Sequence, residues 1–176
     1  MCPIKQLFLV SFLLIILALP INIYVIGDAI GAGLQSPLFR YQQTYLGTSV
    51  ITLADDLGYV TSGIITGRSA LSILLWALGT ILLITAAGYL VYSRDEATTA
   101  IRKPLALLVA SGALAYLLSC IAQYGPLLHG PAGFSVPVGV PLILAVAVYI
   151  LKAEDDDESG YEGEEEEYGE EMEEEQ

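Results

Sequence analysis

Four long stretches of this chain carry no charged residue, and this feature restricts the fold more than any other. They lie at residues 6–26, 71–92, 104–124 and 135–151. A bilayer core about 30 Å thick takes about 20 apolar residues in helical form. At about 1.5 Å per residue, the four runs reach about 31, 33, 31 and 26 Å. The pattern therefore predicts four transmembrane helices, of which the last is short.

The first run has two interpretations. Lys5 followed by an apolar stretch is typical of a secretory signal peptide. The stretch continues to Ile26, however, which is longer than the apolar core of about 7–15 residues in such a signal, and no Ala-x-Ala cleavage site follows. We therefore expect an uncleaved membrane anchor.

Residues 1–152 are accordingly predicted to form an all-α integral membrane protein, a four-span transmembrane helix bundle with a long outer loop at residues 27–70. This order of a long first outer loop and a short second one is similar to that of claudin-type tetraspan proteins. That group's first loop carries a signature of Trp and Cys residues, and residues 27–70 contain neither. Membership of that family is therefore not inferred.

The outer loop contains a segment with the marks of an amphipathic helix. Ser36 suits the N-cap, Pro37 the first helical position, and Gly58 the exit. Two features favour a strand instead: Gly47 would lie inside the helix, where it costs about 1 kcal/mol relative to Ala, and residues 49–53 (SVITL) have the composition of a strand. We expect the helix, with the strand as its alternative.

The distribution of Lys and Arg predicts the orientation in the membrane. The predicted N-terminal, 93–103 and C-terminal segments share one side and carry Lys5, Arg94, Arg102, Lys103 and Lys152, whereas the opposite side carries Arg40 and Arg68. Short cytoplasmic segments are enriched in Lys and Arg. The sequence therefore predicts a multi-pass protein of the cell membrane with both termini in the cytoplasm.

The C-terminal tail, residues 153–176, holds fifteen of the twenty acidic residues. It has too few apolar residues to bury surface that would offset the entropy of ordering, so we expect a disordered acidic cytoplasmic tail. Three roles of this tail are alternatives: it keeps a hydrophobic protein from associating wrongly, it contacts a basic cytoplasmic partner, or it binds divalent cations weakly. The remaining residues carry seven basic and five acidic side chains, and no nucleic-acid partner is expected.

Small residues repeat along the second and third predicted spans and indicate where helices pack closely. They are Ser72, Gly79 and Ala86 in one span, and Ser111, Ala115 and Ser119 in the other. Either packing within the chain or an oligomer interface would use these ridges, and packing within the chain is the preferred interpretation.

The segment 130–141 is rich in Gly and Pro just where the fourth span begins. If a helix starts near Ser135, Pro137 falls in its first turn and Pro141 kinks it. If the helix starts at Pro141, the preceding residues are extended backbone at membrane depth, which is tolerated only inside protein or beside a cavity. This segment is therefore the candidate pore or binding segment, with His129, Ser135, Pro137, Gly139 and Pro141 as its residues.

The outer loop supplies a set of candidate contact residues. They are Arg40, Tyr41, Tyr45, Asp55 and Asp56. The tyrosines are typical of an aromatic belt at a membrane interface. The two adjacent carboxylates diverge by about 100° on a helix, so we expect them to be solvated rather than to act as an acid/base pair.

No catalytic, cofactor-binding or metal-binding motif is found. A P-loop, an HExxH zinc motif and a dinucleotide glycine pattern are missing, and the four apolar runs contain no Asp, Glu, Lys, Arg or His for ion coupling. The sequence therefore predicts a non-enzymatic scaffold or accessory subunit of a membrane assembly, with lipid, other membrane subunits or further copies of itself as partners. The alternative is a small homo-oligomeric channel or passive transporter that uses the 130–141 segment.

Overall fold

The computed structural model describes residues 3–27, 30–93 and 98–152. Within these ranges it contains five α-helices and six β-strands: α1 Pro3–Ala18, β1 Asn22–Ile26, β2 Gly31–Gln35, β3 Phe39–Thr44, β4 Gly47–Thr52, α2 Leu53–Thr61, α3 Gly67–Tyr92, α4 Thr98–Tyr124, β5 His129–Gly130, β6 Gly133–Val136 and α5 Gly139–Lys152. The tail at 153–176, for which we predicted disorder and cytoplasmic contacts, lies outside the described residues.

The six strands form one antiparallel sheet, in the order β4-β3-β2-β1-β6-β5. Strand β1 lies in the middle because it pairs with β2 on one side and with β6 on the other, although β6 follows more than 100 residues later. The prediction of an all-α protein is therefore wrong. Residues 22–52 and 129–136, which we assigned to outer loops and to the ends of spans, form this sheet together through the pairing of β1 with β6.

The predicted amphipathic helix of the outer loop is also wrong. Residues 39–52 form the hairpin β3–β4, whose register pairs Thr44 with Gly47 across a two-residue turn. Gly47 has φ +128°, a conformation that glycine adopts without strain. The strand alternative for SVITL is the observed one, and only Leu53–Thr61 is helical.

Two helices of the described chain, rather than four, are long and apolar enough to cross a membrane: Gly67–Tyr92 and Ile101–Tyr124. The run at 6–26 divides into α1, which ends at Ala18 just before Pro20, and β1. The run at 135–151 divides between β6 and α5, with Pro137 between them. At about 1.5 Å per residue, α1 and α5 reach only about 24 and 21 Å, short of a 30 Å core. The four-span bundle is therefore not the observed architecture.

Helices α1, α3, α4 and α5 nevertheless share one hydrophobic core. Its buried side chains include Leu13, Ile16, Trp76, Leu83, Ala86, Val109, Tyr116, Ile143 and Val146. Helices α3 and α4 pack most closely, because a Cβ on Gly79 would lie 2.8 Å from the Tyr116 ring and 3.1 Å from the carbonyl oxygen of Gly112. Near the sheet, Ser72 and Ser119 each donate from Oγ to the other's carbonyl oxygen, at 2.9 and 2.8 Å.

The outward surfaces of these helices are apolar as well. In α3 the exposed large side chains follow one another at helical spacing, at Leu71, Leu74, Leu78, Ile81 and Ile84. Only 39% of the most apolar stretch of 18 residues in α3, and 50% of the corresponding stretch in α4, is buried inside the fold. A core helix of a water-soluble domain would bury its apolar face and turn polar residues outward. Helix α3 instead has apolar side chains on both faces.

The turn between β2 and β3 attaches the sheet to α3. Ser36 and Pro37 are buried, and their carbonyl oxygens accept hydrogen bonds from Trp76 Nε1 at 3.0 Å and Thr80 Oγ1 at 2.7 Å. The Thr80 hydroxyl also lies 3.1 Å from the Tyr116 hydroxyl of α4. One buried threonine thus links the sheet, α3 and α4.

Replacing Thr80 with Val should loosen this attachment. The change keeps the shape of the side chain but leaves the Pro37 carbonyl and the Tyr116 hydroxyl short of a partner, which costs about 1–3 kcal/mol for buried polar groups. Thermal unfolding followed by the fluorescence of Trp76 measures the loss. The matched change Thr85→Val, at an exposed position of the same helix, should leave the unfolding midpoint almost unchanged. Equal effects of the two changes would contradict the proposed link.

Candidate functional site: a polar cavity beneath the sheet

A cavity of about 380 Å³ lies between the sheet and the ends of α3 and α4. Strands β1, β2 and β3 form one wall, the first turns of α3 and the last turns of α4 form another, and α2 and the 64–66 link border the remaining side. Its polar side chains include Asn22, Tyr24, Gln35, Arg40, Asp56 and Gln123. This volume is at the low end of the range for ligand pockets, about 300–1,000 Å³.

The register of the sheet explains why the cavity is polar. Asn22 pairs with Gln35, and Gln35 pairs with Arg40, so these three side chains form one row on the inner face. Tyr24 is two residues along β1 and therefore points to the same side. Ser135 of β6 is paired with Tyr24, and its hydroxyl donates to Asn22 Oδ1 at 2.6 Å. The inner face of the sheet thus faces the helix ends with polar side chains.

An ion pair between β3 and α2 lies at the wall of the cavity. Arg40 Nη2 donates to Asp56 Oδ1 at 2.7 Å, and the Asp56 side chain is 0% exposed while that of Arg40 is 27% exposed. The start of α2 fixes the position of Asp56, because Asp55 forms a capping box with Thr52: Thr52 N donates to Asp55 Oδ2 at 3.1 Å, and Asp55 N donates to Thr52 Oγ1 at 3.2 Å.

The two neighbouring aspartates have opposite environments. Burial raises the pKa of Asp56, and the nearby Arg40 opposes that rise. Hydrogen bonds from Thr52 lower the pKa of Asp55, which is exposed. Our expectation that both carboxylates are solvated is therefore wrong for Asp56, although the two side chains do point in different directions.

The ion pair leaves two polar atoms unused. Asp56 Oδ2 and Arg40 Nε are both buried, and neither has a hydrogen-bond partner among the described residues. Buried polar groups are nearly always hydrogen-bonded to protein or to ordered water. The cavity is where a partner for these two atoms would be found, since both residues line it.

Aromatic side chains form another part of the wall. The rings of Tyr24 and Tyr124 lie 6.4 Å apart at an angle of 32°. Trp76, the single tryptophan of the chain, also lines the cavity and is 1% exposed. The cavity therefore combines flat apolar rings with a few hydrogen-bonding groups, as ligand pockets commonly do.

The outer face of the sheet has the opposite character. The register aligns Val136, Ile23, Leu34, Tyr41 and Val50 in one row across five strands. All of them except Leu34, which is half-buried, are exposed, up to 62% for Val50. The adjacent row on this face, from His129 and Phe134 to Gln43 and Thr48, carries no Asp, Glu, Lys or Arg. We call this uncharged surface the outer sheet face.

The structure separates the outer-loop candidates into three groups. Arg40 and Asp56 come together at the cavity, as described above. Tyr41 lies on the outer sheet face, and Tyr45 is exposed in the β3–β4 turn. Asp55 is exposed and caps α2.

The candidate pore segment does not collect around one opening. His129 and Ser135 lie in the hairpin β5–β6, on opposite faces of the sheet, with His129 exposed and Ser135 buried against Asn22. Pro137 precedes α5, and Gly139 is packed so closely on residues 20–21 that a Cβ would lie 2.7 Å from the Cα of Ile21. Pro141 lies in the first turn of α5 and is exposed.

The candidate packing residues lie mostly between α3 and α4. Ser72 contacts Ser119, Gly79 lies against α4, and Ala86 is fully buried in the core. Ala115 is buried and Ser111 half-buried. Ser72, Ser119 and Gly79 thus take part in contacts between α3 and α4.

Several cavity residues were not singled out from the sequence: Asn22, Tyr24, Gln35, Trp76, Gln123 and Tyr124. One signal was available, because Asn22 is the only asparagine of the chain and interrupts an otherwise apolar run. No local sequence pattern predicts the pairing of residues 22–26 with residues 133–136.

No metal centre is found in the part of the chain that the structure describes, since no three His, Cys, Asp or Glu side chains cluster there. No protein-family model matches the sequence, and no curated protein matches it either.

Proposed function

We propose that α3 and α4 cross the bilayer as a helical hairpin that carries the sheet on its outer side. The apolar outward surfaces of α3 and α4 support this, because lipid covers such surfaces at no cost whereas water does not. The α3–α4 junction, flanked by Arg94, Arg102 and Lys103, would then be cytoplasmic by the positive-inside tendency. Helices α1 and α5 pack beside this hairpin.

The same arrangement supports both termini on the cytoplasmic side. Helix α1 ends next to the sheet, where Ser36 Oγ donates to the carbonyl oxygen of Ala18, and α5 begins there, where Gly139 N donates to the carbonyl oxygen of Ile21. The start of α1 and the end of α5 are therefore the ends remote from the sheet.

Within this membrane setting, we propose a non-enzymatic scaffold or accessory subunit that contacts its neighbours through the outer sheet face. The observation that carries this proposal is the row of exposed apolar side chains, in register across five strands and uncharged. Contiguous apolar patches of this kind mark interaction surfaces in soluble regions of proteins. A surface built only for contact with water would carry charged side chains there instead.

The occupant that we propose for this face is a second copy of the chain. Because the face has no charge, two copies can stack without burying an unpaired ion, which would be costly. Two stacked sheets lie about 10 Å apart, a separation that exposed Ile, Val and Tyr side chains can fill.

Placing a charge at the centre of this face should prevent association. Replacing Ile23 with Lys puts an ammonium group into the proposed contact, and we expect self-association to weaken at least about tenfold, equal to about 1.4 kcal/mol. Native mass measurement in mild detergent reports the change from dimer to monomer. Thr61→Lys adds the same charge on exposed α2 and should leave the dimer intact. A wild-type chain that stays monomeric at all concentrations would contradict the self-contact.

The channel alternative has its own test. Reconstituted liposomes should show no ion or solute flux above empty liposomes if the chain is a scaffold. Flux that disappears on changing Pro141 to Ala, an exposed position, would support the channel. A Gly139 variant does not serve this purpose, because a side chain there collides with backbone and would disturb the fold.

A further inference from the structure

We infer that the cavity beneath the sheet binds a neutral, hydroxyl-rich group, such as a sugar ring. Two atoms of the ion pair have no hydrogen-bond partner among the described residues. Asp56 Oδ2 can only accept a hydrogen bond and Arg40 Nε can only donate one. Both are buried, both lack a partner among the described residues, and their residues line the same cavity.

The charges of the cavity determine the net charge of its occupant. Among the described residues that line the cavity, Arg40 and Asp56 are the only charged ones, and their charges sum to zero. An anion would meet the buried carboxylate, and a cation would meet the guanidinium, each without a second counter-charge. A neutral ligand carries no such penalty.

The polarity of the two free atoms then selects the functional group. A hydroxyl oxygen donates one hydrogen bond and accepts others, so one hydroxyl, or two adjacent hydroxyls, can satisfy Asp56 Oδ2 and Arg40 Nε together. Hydrogen bonds to ionised groups are stronger than neutral ones, which favours this position as the anchor of the ligand.

The remaining walls suit the other parts of a sugar. The side-chain amides of Gln35 and Gln123 line the cavity and offer both donors and acceptors. The rings of Tyr24 and Tyr124 supply flat apolar surface for the C–H faces of a sugar ring. Exposed Ile64 and Thr66 border the cavity, whereas Asp56 and Trp76 are buried within it, so the opening is on the side of the 64–66 link.

Trp76 makes binding directly measurable, because it is the only tryptophan and lies in the cavity wall. The full chain would be placed in phosphatidylcholine nanodiscs, which avoids detergents that carry sugar headgroups. Methyl β-glucoside is then titrated while Trp76 emission and the thermal unfolding midpoint are recorded. We expect a saturable change with a Kd of about 1 mM or lower.

A sugar could reach this site free in solution or as a lipid headgroup, and a second arm distinguishes the two. Nanodiscs that contain a neutral monoglucosyl diacylglycerol are compared with nanodiscs of phosphatidylcholine alone. A response to the free glucoside assigns a soluble ligand, and a response to the glycolipid alone assigns a headgroup. Either result supports the inference.

Two variants test the anchoring atoms. Asp56→Asn keeps the shape but loses the charged acceptor, and Arg40→Lys keeps the positive charge but loses the Nε donor. Each should weaken binding by about tenfold or more, the effect of losing a hydrogen bond to an ionised group. Tyr59→Phe, on the same helix α2 but exposed and outside the cavity wall, should bind within about twofold of the wild type.

Three results would overturn the inference. The first is that neither the glucoside nor the glycolipid changes Trp76 emission, which would indicate a cavity filled by ordered water alone. The second is tighter binding of inorganic phosphate or choline than of the glucoside. The third is a loss of binding in Tyr59→Phe as large as that in Asp56→Asn, which would mean that the effect comes from α2 as a whole.

Discussion

Replacing Arg40 with Met is expected to lower the free energy of unfolding by about 3–5 kcal/mol at neutral pH. The Asp56 carboxylate is 0% exposed and has Arg40 as its only hydrogen-bonding partner in the described structure. Without Arg40, the carboxylate stays buried with no counter-charge. Denaturant-induced unfolding followed by Trp76 emission measures the loss.

The pH dependence of this variant has a definite sign. Burial already raises the pKa of Asp56, and removing Arg40 removes the main influence that lowers it. When a carboxyl group has a higher pKa in the folded than in the unfolded state, it stabilises the folded state at a pH below its unfolded pKa, which is about 3.9. This stabilisation is lost as the pH rises through the folded pKa. The deficit of the Arg40→Met variant should therefore shrink as the pH falls from neutral.

The double variant Arg40→Met with Asp56→Asn is the control. It removes the buried charge together with its partner, so it should recover much of the lost stability and lose the pH dependence. If the single and double variants are equally unstable at every pH between about 4 and 7, the cost does not come from an unpaired carboxylate.

Replacing Gly133 with Ala should be the most damaging glycine substitution, with a loss of about 3 kcal/mol or more. Gly133 has φ +118°, and a Cβ there would overlap the carbonyl oxygen of Val25 on the neighbouring strand. Both atoms belong to the sheet, so β1 and β6 would have to separate. Because that pairing joins the two distant parts of the sheet, unfolding should begin there.

Gly58→Ala is the matched control for this change. Gly58 lies inside α2, and a Cβ there would meet nothing within 4 Å. Ala favours a helix interior, so the variant should gain about 0.5–1 kcal/mol. A stable Gly133→Ala variant would contradict the pairing of β1 with β6, and a destabilised Gly58→Ala variant would contradict the bounds of α2.

The two longest helices were predictable from the sequence because their evidence is local. The uncharged runs at 71–92 and 104–124 correspond to α3 and α4, which extend them by four and six residues at their N-terminal ends. The length and the hydropathy of such a run are enough to predict the helix. The same criterion failed at 6–26, because a strand with an apolar outer face and Tyr24 on its inner face is as free of charge as a helix in lipid.

The hairpin was only partly predictable. Gly47 and the composition of residues 49–53 indicated a strand. Ser36, Pro37 and Gly58 are instead the residue types that are common at the N-cap, the first position and the C-terminal end of a helix. In the structure, Ser36 and Pro37 make a buried turn that packs on Trp76 and Thr80, and Gly58 lies within α2. Tertiary contacts therefore decided between two local signals of similar strength.

The cavity was the least predictable feature. Arg40 and Asp56 were recognised as candidates, but their pairing depends on α2 starting at Leu53 and folding back under β3. The polar inner face also depends on the register of six strands, two of which come from a distant part of the chain. No periodicity within one segment carries this information.

Labelling of single cysteines in sealed cells tests the central claim, a membrane hairpin with a folded sheet on its outer side. With Cys2 replaced by Ser, Thr61→Cys lies on α2 beside the sheet and outside the outer sheet face, Tyr92→Cys lies at the far end of α3, and both positions are exposed. Native Cys120 is buried. A membrane-impermeant maleimide should label Thr61→Cys in intact cells and Tyr92→Cys only after permeabilisation. Equal labelling of both in intact cells, or recovery of the chain in the supernatant after membranes are pelleted, would contradict it.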